Sequence, residues 1–495
     1  MRAIPRFLSI TAGATTLSML LPILWCAASR DDGLAPLLIS FAAGIGISTL
    51  LACLGRGGSF EGMGAMEAAL SVVLSWLGAS FIIALPYYIS GTLPNMLDAF
   101  FEGISGLTTT GASVIPSLES VPRSILLWRS FSQWVGGLGI IVLILAVLPL
   151  SGASGAGMQL YRAEVSSPIH RRLTPRIQQT AAFLWKTYIA LTAAQILLLS
   201  LGGLGIYDSA TLAFSTVATG GFSPYQDSVG HFGGSYVKWV TAVFLFLSGI
   251  NLTVYHSLIV RRNVSLVWRD AELRFYVVVL VTFGTLTSLL LYSADLFPSL
   301  VMSVLEGFFH VVSMLSTCGF FISDYNLWPT SVRCLMLVLM FCGGCAISTS
   351  GGISCIRIVV ILKHVLAEFS RLLHPRAMIP TRLGGDAVET GVVSSCFAFF
   401  AAYMGIFMLG FAALTLFGED MTTAISSAAA ALGNVGPGFG MAGPSEGYAF
   451  KPPEVKLVHI ALMLCGRLEI FTLLIVFTPS LWRRRGFSPE KAKTR

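Results

Sequence analysis

GLTTTGAS, residues 106–113, lies between two segments far more apolar than a soluble domain carries, and it belongs to neither. A row of hydroxyl side chains turning on Gly111 in such surroundings marks a place where the chain needs oxygens and little bulk. Three further stretches share the pattern: TVATGGFS at 216–223, LSTCGFFIS at 315–323 and LGNVGPGFG at 432–440. Aligned on Gly111, Gly220, Gly319 and Gly436, they recur at intervals of roughly one hundred residues, and self-similarity at a fixed period is the signature of a repeated structural unit. Each elbow follows a stretch of helical character too short to cross a bilayer: LPNMLDAFFEGIS, DSATLAF, SLVMSVLEGFFHVVSM and DMTTAISSAAAA.

The surroundings of these elbows set the class of the protein. Of 495 residues, 55% are hydrophobic and 11% charged, against roughly 25% charged in a soluble domain. A span needs about 20 apolar residues. Such stretches occur near 8–29, 35–54, 66–90, 124–150, 178–206, 236–260, 275–294, 330–363, 389–417 and 454–480. The expected fold is therefore an all-α polytopic membrane protein of ten spans. The first stretch reads as a span rather than a cleaved leader, because it outruns a typical h-region and a second span follows at once.

Charge placement orients the chain. Loops beginning near Arg56, Arg162, Arg261 and Lys363, with both termini, hold most of the 31 Lys and Arg, which places them in the cytoplasm. The net charge of +7 reads as topology and contact with anionic lipid, and requires no nucleic acid. The basic clusters HRRLTPR at 170–176 and RRR at 483–485 read as topology signals. The cysteines fall almost entirely in apolar segments, so no extracellular disulfide framework is visible. Cys342 and Cys345 form a C-G-G-C pair that reads as small packing residues inside a span.

Backbone that is not helical survives at membrane depth only where protein buries it or where it lines a wet cavity. Four elbows around one axis would line a single cavity. A cation crossing hydrocarbon exchanges its water for fixed oxygens, and rings of backbone carbonyls supply them. A glycine in each elbow permits the dihedrals that turn carbonyls inward. Half-helices ending at the cavity add partial negative charge. The combination favours a monovalent cation bound by main-chain oxygens rather than by carboxylates.

At these residues the chain resembles the Trk/Ktr/HKT superfamily, most nearly the TrkH-like membrane subunit of Trk-type potassium uptake systems. LLWRSFSQWVGGLGIIVLILAVLP, FLFLSGINLTVYH, GGCAISTSGGI and CGRLEIFTLL carry the resemblance beside the four elbows. It implies four M1-P-M2 repeats around one pseudo-fourfold pore, preceded by two extra transmembrane helices. The expected limits are 1–60 for the extra helices, then 61–150, 151–262, 263–375 and 376–495 for the repeats. The implied filter comprises Thr109, Thr110, Gly111, Ala218, Thr219, Gly220, Thr317, Cys318, Gly319, Asn434, Val435 and Gly436. Glycine at all four key positions goes with potassium in this superfamily. The implied partners are a second copy of the chain and a TrkA-like cytoplasmic regulator that binds NAD and ATP. The chain itself carries no nucleotide motif and is expected to hold no cofactor, potassium being its cargo. The implied location is the inner membrane.

Two segments suggest control of the pathway. Residues 343–353 interrupt a long apolar stretch with Gly343, Gly344, Gly351 and Gly352 and several hydroxyls, a composition that unwinds a helix. The resemblance makes this a movable gate under the filter. Ile347 and Ser350 stand where it leads one to expect glycine, and Ser354 where it leads one to expect lysine. Arg467 lies within an apolar span, where an arginine costs at least about 2.5–3.5 kcal/mol. It should therefore face a pore or a partner, and the resemblance assigns it to gating; a bond to Glu469 is the structural alternative. Asn251 and His310 read as helix-packing hydrogen-bond partners. A sodium-permeating or cation-coupled symporter of the same fold remains an alternative, as does a membrane enzyme. The seven scattered histidines speak against the enzyme.

Overall fold

The computed structural model describes residues 3–58, 60, 64–139, 177–259, 270–374, 376, 379–384 and 386–477. These are mostly helices joined by irregular elbows, and a two-residue hairpin pairs Arg382–Leu383 with Asp386–Ala387 next to Gly384, whose φ is 61°. Ala3–Ser18 (α1) and Leu20–Ser29 (α2) form one apolar run interrupted near Pro22, whose ring denies the helix a hydrogen bond. Leu34–Leu54 (α3) packs on α1, with the Ser48 hydroxyl donating to the Ser9 carbonyl at 2.9 Å.

From there one arrangement recurs. A long helix is followed by a short one, an elbow and a further helix. Ala65–Ile89 (α4), Met96–Leu107 (α5) and Arg123–Gly137 (α6) make the first set. Ile177–Leu201 (α7), Ile206–Val217 (α8), Ser235–Ser248 (α9) and Leu252–Ile259 (α10) make the second. Ala271–Ser293 (α11), Leu300–Leu315 (α12), Thr330–Phe341 (α13) and Cys355–Leu373 (α14) make the third. Thr390–Leu416 (α15), Met421–Gly433 (α16), Pro453–Arg467 (α17) and Phe471–Phe477 (α18) make the fourth. The four short helices coincide with the four stretches expected from sequence. Three of them start at a side-chain cap: Asn95, Ser299 and Asp420 each accept a backbone N–H of the first turn.

Each short helix packs between the long helix before it and the helix after it. The sets are then joined in a cycle: α6 packs on α8, α9 on α12, α13 on α16 and α17 back on α5. Lys456 of α17 donates to the Asp98 carboxylate of α5 at 2.7 Å, tying the last set to the first.

The ten expected spans, of which the one over 330–363 is already expected to be interrupted at 343–353, are not all continuous helices. Among the described residues 6 helices are long and apolar enough to cross a membrane, or 7 if α9 and α10, bent by 91°, count as one. The stretches expected near 236–260, 330–363 and 454–480 each break. The breaks fall at Gly249–Asn251, at 342–354 and at 468–470, while α6 ends at Gly137. Hydropathy over a window registers apolarity and is blind to glycines that make room for crossing backbone. A Cβ on Gly136 would collide with the Leu107 carbonyl at the end of α5, and one on Gly466 with the Leu432 carbonyl near the end of α16. The remainder of the stretch near 124–150, the expected boundaries at 150 and 262 and both basic clusters lie outside the described residues.

Candidate functional site: four elbows and the loop against them

All four short helices end in the same way. In the first, the Thr109 N–H donates to the Gly106 carbonyl and the Thr110 N–H to the Ser105 carbonyl. Thr219 and Gly220 repeat the pair on Thr216 and Ser215, Thr317 and Cys318 on Met314 and Ser313, and Asn434 and Val435 on Ala431 and Ala430. This double bond pattern is the Schellman motif, which requires a left-handed residue at its turn. That residue is Thr109, Thr219, Thr317 and Asn434, with φ of 54°, 54°, 58° and 54°. Asparagine tolerates this region; threonine held there costs of order 1–3 kcal/mol, so three elbows store strain at equivalent positions.

Two residues further on, φ is positive again, at Gly111 (82°), Gly221 (82°), Gly319 (76°) and Gly436 (97°). The neighbours of these glycines close a ring. A Cβ on Gly111 would collide with the Gly220 carbonyl oxygen, and one on Gly221 with that of Cys318. One on Gly319 would meet that of Val435, and one on Gly436 that of Thr110. Each elbow thus lies against the next, in chain order, and the fourth against the first.

This geometry corrects the register of the second elbow. Sequence alignment set Ala218, Thr219 and Gly220 beside Thr109, Thr110 and Gly111, whereas the dihedrals and the ring pair Thr219, Gly220 and Gly221 with them. Ala218 is the C-cap of α8, as Thr108 is of α5. A Gly-Gly doublet cannot say by itself which glycine takes the positive φ.

The elbows are braced from behind. Beyond each ring glycine, the third residue presents a backbone N–H to the short helix. Val114 donates to Glu102 at 2.9 Å, Ile322 to His310 Nε2 at 3.4 Å and Phe439 to the Ser426 hydroxyl at 2.8 Å. In the second elbow this position is Pro224, which has no N–H to satisfy. The buried Glu102 also receives Arg129 Nε at 2.6 Å, while Arg129 Nη1 donates to the Ser223 carbonyl at 2.9 Å, coupling the first elbow to the second. Asn434 donates to the Thr110 hydroxyl and to the Met463 carbonyl, both at 3.0 Å, coupling the fourth to the first. Asn251 bonds to Glu272 at 3.3 Å, and both it and His310 act within the packing as expected.

The 343–353 segment runs against the elbows. It doubles back on itself, with the Gly343 N–H donating to the Ile353 carbonyl at 2.9 Å and the Cys355 N–H to the Gly344 carbonyl at 3.0 Å. A Cβ on Gly343 would strike the Gly351 carbonyl, and Gly352 has φ 68°. The Thr349 hydroxyl donates to the Val217 carbonyl at 3.1 Å and lies 3.3 Å from that of Thr219; the Gly351 N–H donates to the Thr317 hydroxyl at 2.7 Å. Both ends of the segment converge on one carboxylate. Glu272 Oε1 accepts the Ala346 N–H at 2.6 Å and the Ile356 N–H at 3.1 Å. Ile347 holds φ 55°, an uncommon state for a β-branched residue. Ser354 is the N-cap residue of α14.

Arg467 reaches across this layer. Its Nη1 donates to the Thr349 carbonyl at 2.9 Å, and its Nη2 to the carbonyls of Gly136 and Gly137 at 2.8 and 2.6 Å. Glu469, the alternative partner, is instead bonded to Arg357 at 2.9 Å. Arg467 is the last residue of α17, whereas Glu469 lies in the break that follows, with φ 48°. One cavity is lined by the ring glycines Gly111, Gly221 and Gly319 with Ser113, Ser223 and Tyr448. A second is lined by Gly137, Gly344, Ser350, Arg357, Arg467 and Glu469.

The model of the TrkH family, described as cation transport protein, matches residues 49–484. The chain belongs to the TrkH family. It is 38% identical over 485 residues to the Trk system potassium uptake protein TrkH of Salmonella typhimurium, with 97% of this chain and 99% of that protein covered. It is 34% identical over 476 residues to the Trk system potassium uptake protein TrkG of Escherichia coli, with 94% and 96% covered. The crystal structure of the potassium transporter TrkH from Vibrio parahaemolyticus matches with a TM-score of 0.87 at 34% identity, covering 97% of this chain and 99% of that one. These TrkH relatives are named for transport and not for catalysis. Gln133, Glu102, Gly221, Glu272 and Thr349 escaped the sequence analysis. An acid inside an apolar helix was the available signal for Glu102 and Glu272; hydropathy carries none for Gln133 or Thr349.

Proposed function

We propose that the chain carries potassium across the inner membrane through the ring made by its four elbows. The observation that carries this reading is the closure of the ring, in which each glycine lies against the carbonyl of the next elbow. On this reading the four sets are M1-P-M2 repeats around one pore, preceded by two extra spans, α1–α2 and α3. The ion ligands are main-chain oxygens of Thr109, Thr110, Thr219, Gly220, Thr317, Cys318, Asn434 and Val435, freed to face the ion by Gly111, Gly221, Gly319 and Gly436. Neutral carbonyls suit a monovalent ion, whereas calcium and magnesium sites draw on carboxylates. The relatives' names, all potassium transporters, point to the same cargo.

The 343–353 segment is then the gate and Arg467 its latch. A guanidinium about 5 Å from a passing cation repels it by about 3 kcal/mol at an effective dielectric of 20, enough to slow conduction until the segment moves. The cavity lined by the ring glycines is the outer vestibule and the one lined by Arg467 the inner cavity, with both termini cytoplasmic by the charge rule. A second copy of the chain and a TrkA-like subunit that binds NAD and ATP complete the assembly, the regulator meeting the basic loops.

Growth of a potassium-uptake-deficient cell on low potassium tests the proposal. The wild-type chain is expected to restore growth. Gly111→Ser should lose discrimination between rubidium and sodium, and Arg467→Ala should give a leakier pore. Equal rubidium and sodium fluxes in the wild type would favour the sodium-permeating alternative, and unchanged transport in both variants would defeat the site assignment.

A further inference from the structure

The Gly-Gly doublet of the second elbow has a counterpart on a different helix. Gly220 occupies the ring position held by Thr110, Cys318 and Val435 in the other elbows, and it is there that a side chain is missing. The space is taken by Gln133 of α6: a Cβ on Gly220 would run into the Gln133 amide. That amide is fully buried and bonded at both ends. Nε2 donates to the Gly220 carbonyl at 2.6 Å, and Oε1 accepts the Phe222 N–H at 3.0 Å. Gly220 O is a ring oxygen, the one against which Gly111 lies. Among the described residues it is the one ring carbonyl of the four that receives a side-chain hydrogen bond. The doublet therefore divides its work: Gly221 adopts the positive φ, and Gly220 makes room for the glutamine.

We infer that Gln133 is a positioning residue that sets the ion discrimination of the ring by fixing the Gly220 carbonyl. The inference rests on the ring being the ion path. A carbonyl oxygen has two lone pairs, so a donor behind it leaves one for an ion while removing the freedom of the peptide to tilt. The bond to Phe222 holds the far side of the same turn, so the peptides flanking Gly221 cannot swing together. A turn so held resists closing around a cation smaller than the one it fits. Freed of the amide, it would contract around sodium. The other elbows are stiffened differently, by bulkier side chains at the equivalent position and by Glu102, His310 and Ser426 behind the turn. Pro224 leaves the second elbow without such a partner, and Gln133 takes that part.

The test compares rubidium and sodium uptake by the full chain in vesicles, for the wild type and two variants. Gln133→Met keeps the volume and removes both hydrogen bonds. Gln133→Leu removes both hydrogen bonds with a branched side chain of similar volume. In either variant the rubidium-to-sodium ratio is expected to fall by roughly tenfold, the factor of one hydrogen bond, while the maximal rubidium rate stays within a few fold of wild type. A residue that only supports the fold would lower both fluxes together and leave the ratio unchanged. A wild-type ratio in either variant overturns the inference. So does failure of both variants to assemble, which would make Gln133 a strut alone. A wild-type chain that carries no rubidium is a separate result, and defeats the ring as the ion path.

Discussion

Gly220 and Gly221 are adjacent and chemically identical, yet alanine at the two positions meets different obstacles. At Gly221 a Cβ strikes the Cys318 carbonyl, which is backbone, and φ is 82°; at Gly220 it strikes the Gln133 side chain. Backbone cannot move aside and a side chain can, so Gly221→Ala should destabilise by about 2 kcal/mol or more and Gly220→Ala by less. Thermal unfolding of the two variants in detergent decides it, and the reverse order would restore the alignment that placed Gly220 beside Gly111. Arg467 makes a similar point. Its charge in an apolar segment was legible, but its acceptors are main-chain carbonyls of Thr349, Gly136 and Gly137, and no side-chain pattern announces a carbonyl.

At the scale of elements, the short helices and the interrupted ones came from different signals. The short helices were legible because each pairs a helical stretch too short to cross a bilayer with a polar elbow, both local features. The breaks were only partly legible: the glycines and hydroxyls of 343–353 announced one, whereas Gly249 sits in a stretch that hydropathy reads as unbroken. Glu272 shows how the interrupted element is held. Removing its carboxylate leaves the Ala346 and Ile356 N–H groups buried without an acceptor, at about 1–3 kcal/mol each. Glu272→Ala is expected to loosen the segment, raising resting rubidium leak and the rate at which Cys345, now buried, reacts with a membrane-permeant maleimide. Wild-type leak and labelling together would show that the segment is held elsewhere.

For the whole molecule, the closing contacts join the fourth set to the first. Lys456 bonds to Asp98, Asn434 to Thr110 and the Tyr448 N–H to the Ser113 carbonyl at 2.9 Å. The ring therefore completes only when the fourth set docks on the first. Lys456→Met strands a largely buried carboxylate, a loss of about 3–5 kcal/mol for a buried pair and less here because Asp98 retains some exposure. It should lower the yield of monodisperse protein, and Asp98→Leu added to it should recover part of that yield. No recovery would mean that the pair does not carry the closure. Membrane class, the four elbows and the presence of a glycine in each were determined by the sequence alone. Hydropathy and the demand for positive φ are properties of a few neighbouring residues. The tertiary structure alone decided which glycine of the doublet turns, that Gln133 holds a ring carbonyl 87 residues away, and that Glu272 fastens a segment 74 residues away. A hydrogen-bond partner is chosen by proximity in the fold, and local sequence does not encode that proximity.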